Sequence, residues 1–99
     1  MSAYVIVNVD VHDAEAYRDY TRRVPDSIAA FGGRFLVRAG AVDVREGDWQ
    51  PGRLVVLEFE DVEHARDWYE SEGYEPLKRM RQAVSSADLL IVEGVERPT

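Results

Sequence analysis

From Ala3 to Val11 the chain reads AYVIVNVDV. Ala3, Val5, Val7, Val9 and Val11 fall on one parity and Tyr4, Ile6, Asn8 and Asp10 on the other, the alternation of a strand with one buried face. The period then changes. Tyr17, Tyr20, Val24, Ile28 and Phe31 recur at spacings of three and four, an apolar stripe that predicts a helix. Asp13 stands where its N-cap belongs, and Glu15 places a negative charge in the first turn, where the helix dipole favours one. Pro25 inside the stripe predicts a kink or an interruption, and Gly32-Gly33 predicts the helix end, because glycine adopts a left-handed C-terminal conformation at little cost.

Alternation returns at 34–44, RFLVRAGAVDV, with Arg34, Leu36, Arg38 and Gly40 on one face and Phe35, Val37, Ala39 and Ala41 on the other. EGDWQPG, 46–52, has the glycine, proline and aspartate of a hairpin loop. RLVVLEFE, 53–60, alternates again, with Arg53, Val55, Leu57 and Phe59 opposite Leu54, Val56, Glu58 and Glu60. Asp61 reads as the cap of a second helix, VEHARDWYES, with Val62, Ala65 and Trp68 or Tyr69 inward, and Gly73 breaks it. Pro76, Leu77, Met80 and Val84 suggest a further short helix, and DLLIVEGV, 88–95, a last strand. The order β-α-β-β-α-β most simply folds as an α+β, ferredoxin-like domain over 1–95: a four-stranded antiparallel sheet with helices on one face. A short tail, 96–99, remains outside it. The sheet's other face would carry Ile6, Leu36, Val56 and Leu90 or Val92, an apolar patch that a homodimer would cover.

Composition narrows the partners. Ninety-nine residues make one domain. Nineteen acidic against twelve basic residues give a net charge of −7, which disfavours nucleic acid and anionic membrane surfaces. With no cysteine there is no disulfide or thiolate chemistry, as suits a reducing compartment. No run reaches the length of a membrane span and no basic-then-apolar leader opens the chain. The expectation is a cytoplasmic protein.

Gly32-Gly33-Arg34, Arg38-Ala39-Gly40, Glu46-Gly47-Asp48-Trp49, Arg53 with Phe59, and Ala65-Arg66-Asp67-Trp68-Tyr69 followed by Ser71, Tyr74, Leu77 and Arg81-Gln82 resemble the family of the domain of unknown function 1330. The likeness runs from Tyr4 to Val95. It implies a dimeric α/β barrel of the ferredoxin-like type, similar in architecture to cofactor-independent monooxygenases and muconolactone isomerases. It supplies no catalytic roles, and fold alone confers no chemistry.

The residues themselves offer one constellation on the expected helix-free face: Asn8, Asp10, Arg38 and Glu58. Hairpin register would bring Arg38 near Glu58. Arg38 then offers a planar fork of donors to a carboxylate or enolate, Asn8 orients it, and Glu58 or Asp10 accepts a proton. The competing reading is a structural Arg38–Glu58 ion pair. Trp68 and Tyr69 could line a pocket mouth, or serve as core anchors. Asp10 and His12 are two apart, but no second histidine or carboxylate pair has metal-ligand spacing, and His64 sits in a helix's first turn, so no metal and no cofactor are expected. Catalytic motifs for hydrolysis, phosphoryl transfer and hydride transfer are absent. Three functions remain open: a homodimer that binds a small polar or anionic organic ligand; a cofactor-independent isomerase or monooxygenase acting on a phenolic or enolisable substrate; and a structural dimer without ligand.

Overall fold

A computed structural model describes residues 1–96 as β1 (Ala3–Val11), α1 (Ala14–Ala29), β2 (Arg34–Arg38), β3 (Arg53–Phe59), α2 (Val62–Glu70), α3 (Glu75–Val84) and β4 (Ser85–Glu93). The expected tail lies, apart from Glu96, outside the described residues. The strands form one antiparallel sheet in the order β2-β3-β1-β4, the ferredoxin-like arrangement anticipated from the element order. β1 is an inner strand, paired with β3 along one edge and with β4 along the other. Its odd residues Ala3, Val5, Val7 and Val9 are buried beneath the helices, and its even residues look to the open face.

Both aspartate caps form. Asp13 Oδ1 accepts from Ala16 N at 3.1 Å and Asp61 Oδ1 from His64 N at 2.8 Å. Helix α1 buries Tyr17, Tyr20, Val24 and Ile28. The chain then turns through Gly32, whose φ of 76° lies in the left-handed region. Gly33 has a different reason: a Cβ there would stand 2.5 Å from the Phe59 ring. The core joins these residues to Leu57, Phe59, Ala65, Trp68, Tyr74 and Leu77.

Three local expectations are corrected. Pro25 does not interrupt α1, which is assigned without a break from Ala14 to Ala29. Proline at this position removes the N–H that would bond the Thr21 carbonyl, and Arg38 Nη2 donates to that carbonyl at 2.6 Å instead. Strand β2 stops at Arg38, well short of 44, because Ala39, though its N–H still bonds Leu54 O, turns to φ 59° and ends the extended run; 39–50 is exposed, irregular chain. Strand β4 starts at Ser85, directly after α3, since β1 offers it a full-length partner from Val11↔Ser85 to Ala3↔Glu93.

Candidate functional site in the helix–sheet cavity

The expected constellation does not assemble, and the cause is a β-bulge. In β2, Arg34 pairs with Glu58 and Phe35 with Leu57, but Val37 pairs with Val56 and Arg38 with Val55. One extra residue at Leu36–Val37 reverses the parity beyond it. Arg34 therefore stays on the open face, where it bonds Glu58 through Nε at 2.8 Å and Nη2 at 2.5 Å. Arg38 turns to the helix side, with its guanidinium 4.4 Å from the centre of the Phe35 ring. The ion pair anticipated for Arg38 is made by Arg34.

The other anticipated residues are dispersed. Asn8 Oδ1 accepts from Gly52 N at 2.9 Å and anchors the root of the 39–52 loop. Asp10 is exposed, 3.9 Å from His12 Nε2. Trp68 is buried and donates from Nε1 to Ser27 Oγ at 3.2 Å. Tyr69 lies half-buried with Lys78 Nζ 4.5 Å from its ring centre. Among the described residues no group of three or more His, Asp or Glu side chains is placed to hold a metal ion, and no helix is long and apolar enough to cross a membrane.

Arg38 and Trp68 do meet other residues, around a cavity between the sheet and helices α1 and α3. It has an interior of about 30 Å³, and Tyr17, Tyr20, Tyr74, Arg53 and Arg81 supply most of its remaining polar lining. By volume this interior holds about two water molecules. Three arginines line it and no aspartate or glutamate does. Arg81 is only 5% exposed; its Nε lies 3.4 Å from the Tyr74 hydroxyl, which shares a 2.8 Å hydrogen bond with the Tyr20 hydroxyl. Arg53 projects from the core-facing side of β3 over Tyr17, 5.5 Å from the ring centre, and its Nε is buried without a hydrogen-bond partner.

The electrostatics follow from burial. Removal from water raises the pKa of the Tyr20 phenol well above its ordinary 10.0, and the neighbouring Tyr74 adds to the effect. Burial raises Tyr17 as well, against the opposing pull of Arg53 and Arg81. For Arg81 burial pulls the pKa down, but Tyr74, Tyr20 and Tyr69 more than offset it, so the net shift is upward. The cavity therefore sets the Arg81 cation beside the Tyr17 and Tyr20 phenols, an environment suited to an anion.

The sequence carried one signal for this site. Arg53 shares parity with Val55, Leu57 and Phe59, so a strand whose apolar side faces the core must take a cation inward with it. Tyr17 and Tyr20 were legible as part of the α1 stripe, but as core. Arg81 sits one helical turn after the buried Leu77 and so shares its face of α3, a position at which a charged side chain is ordinarily not expected to be enclosed.

The family model described as domain of unknown function (DUF1330) matches residues 2–95. The chain belongs to the DUF1330 family. No curated protein matches it. Among solved structures, a protein of unknown function from Rhodopseudomonas palustris superposes on this DUF1330 chain with a TM-score of 0.74 at 16% identity, covering 97% of this chain and 84% of that one. SnoaB, a cofactor-independent oxygenase from Streptomyces nogalater, superposes with a TM-score of 0.65 at 16% identity, covering 97% of this chain and 95% of its own. At such identity the likeness concerns the fold.

Proposed function

We propose that this DUF1330 protein is a homodimer that binds a small organic acid, with the carboxylate held between Arg53 and Arg81 in the helix–sheet cavity. The observation that carries the reading is the charge count: three arginines line the cavity, one of them 5% exposed, and no acidic side chain lines it with them. A buried cation without a counter-ion is costly, and an anion that fills the place recovers that cost. The small interior suits a head group, while exposed Arg38 marks where the body of a larger acid would emerge. The homodimer is supported by the half-exposed apolar residues of the helix-free face, Leu36, Val37, Leu90 and Val92.

The test is calorimetry and thermal unfolding of wild type, Arg53→Met and Arg81→Met with acetate, benzoate and 4-hydroxybenzoate. Wild type should be stabilised by about 2.7 kcal/mol at a hundredfold excess of ligand over Kd. Arg81→Met, which gives up the Nε contact with the Tyr74 hydroxyl, should cost some stability without ligand and should lose the response. The absence of any response in wild type at millimolar acid would sink the reading.

A second reading, a cofactor-independent isomerase or oxygenase acting on a phenolic or enolisable acid, has one observation in its favour: the Tyr20–Tyr74–Arg81 chain could carry a proton, which binding alone does not require. Exchange of an α-proton of a bound keto acid in deuterated water, lost in Tyr74→Phe, would support it. Exchange at the uncatalysed rate would leave the binder.

A further inference from the structure

The chain between β2 and β3 leaves the body of the protomer. Residues 39–50 are all exposed, including Val42 and Val44, which share a parity, and Trp49 at 61% exposure. An exposed tryptophan and two half-exposed valines in one irregular segment are unusual in a chain that stays alone in water. Both roots are nevertheless fixed. Ala39 N donates to Leu54 O at 2.8 Å while its backbone sits at φ 59°, a conformation that costs a non-glycine residue energy and holds only where its surroundings impose it. Gly52 N is held by Asn8, and a Cβ at Gly52 would stand 2.6 Å from Val9 O. The segment is thus an arm with anchored ends and exposed apolar side chains.

We propose that this arm is a docking element for a second copy of the same chain, with Val42, Val44 and Trp49 of each protomer packing on the helix-free sheet face of the other. The inference rests on the homodimer proposed above and goes beyond it by assigning the arm as its principal contact. Three quantities favour a second copy. The chain exposes 6783 Å², whereas a folded monomer of its 11.3 kDa mass exposes roughly 5,700 Å². The surplus, roughly 1,000 Å², is close to the ~800 Å² that one partner contributes to a standard interface. The radius of gyration, 14.0 Å, exceeds the ~13 Å of a compact domain of this length. Finally, arm and sheet face belong to one chain, each exposes apolar side chains, and a two-fold exchange covers both twice over.

The experiment is sedimentation equilibrium of the full chain as wild type, Trp49→Ala and Val44→Asp, with acrylamide quenching of tryptophan fluorescence. Trp68 is 1% exposed and shielded, so quenching reports Trp49. Wild type should be a dimer whose tryptophan becomes more quenchable on dilution through the dissociation range. Both variants should keep the wild-type far-ultraviolet circular dichroism and dimerise at least tenfold more weakly. A wild-type dimer with Trp49 fully quenchable at every concentration, and with both variants dimerising as tightly as wild type, would overturn the arm contact and leave the homodimer standing. A wild-type monomer at ~100 µM would overturn both.

Discussion

Arg34 and Arg38 open and close the same short strand, yet they live in different chemistry. Arg34 lies on the open face and has a carboxylate partner in Glu58. Arg38 lies on the covered face and spends one donor on the Thr21 carbonyl, which Pro25 leaves without its helical partner. The difference extends across the sheet. On the open face an arginine and an acid neutralise one another, whereas on the covered face three guanidiniums stand among phenols and aliphatic side chains with no acid lining the cavity. A protein can leave charges mispaired in water at small cost, because solvent screens them. Of the three, Arg81 is the enclosed one, at 5% exposed, and the absence of an acid lining the cavity beside it is what the binding proposal rests on.

The largest effect that should separate the two faces is loss of packing. Trp68 is 1% exposed and packs against the Tyr74 ring with centroids 4.2 Å apart, so Trp68→Ala should cost about 3–5 kcal/mol in urea unfolding. Leu90→Ala, at a half-exposed position of the open face, should cost about 1 kcal/mol or less at low protein concentration. A loss that grows with protein concentration for Leu90→Ala would show that a second copy buries that face. Equal losses at the two positions would erase the distinction between them.

The arginines give the intermediate effect. Arg38→Met should cost about 1 kcal/mol through the orphaned Thr21 carbonyl. Pro25→Ala restores an N–H to that carbonyl, so in its background the same substitution should cost less than ~0.5 kcal/mol, measured as a double-mutant cycle. Independent, additive losses would break the link between Pro25 and Arg38. Arg34→Met takes a partner from Glu58, whose side chain is only 12% exposed, and should cost about 1–3 kcal/mol in either background.

The smallest effect concerns Asp61 and His64, a pair in water that calibrates how little exposed charges contribute. The His64 ring contact with Asp61 raises the histidine above its ordinary 6.5. The His64 backbone N–H, and then its ring, lower Asp61 below 3.8. A raised histidine stabilises fully below its unfolded pKa and ceases to do so as pH rises through the folded value. A lowered aspartate stabilises above its unfolded pKa and ceases as pH falls through the folded value. Both are therefore in force between about pH 4 and pH 6.5. The urea midpoint of wild type should exceed that of His64→Ala by more at about pH 5.5 than at about pH 8.5, and an equal difference at both would contradict the pairing.

Much of the fold was legible because its signals are local. The parity of AYVIVNVDV, the three-and-four spacing from Tyr17 to Ile28, and the aspartates at 13 and 61 each act within a few residues, and the structure keeps all of them. The candidate site was legible only in fragments. Arg38 was expected on the open face because an uninterrupted alternation puts it there, and a bulge of one residue moves it to the other.

By its own pattern, then, the sequence determined which segments are strands and helices, where α1 and α2 begin, and which side of β1 and β3 is buried, since these follow from backbone period and short-range capping. Only the tertiary structure decided which charges meet. Arg81 reaches Tyr74 across seven residues of one helix, but Tyr20 reaches Tyr74 across fifty-four positions and Arg38 reaches Thr21 across seventeen. Such encounters depend on strand register and on the bulge, and a shift of one residue in register turns a side chain from water into the core.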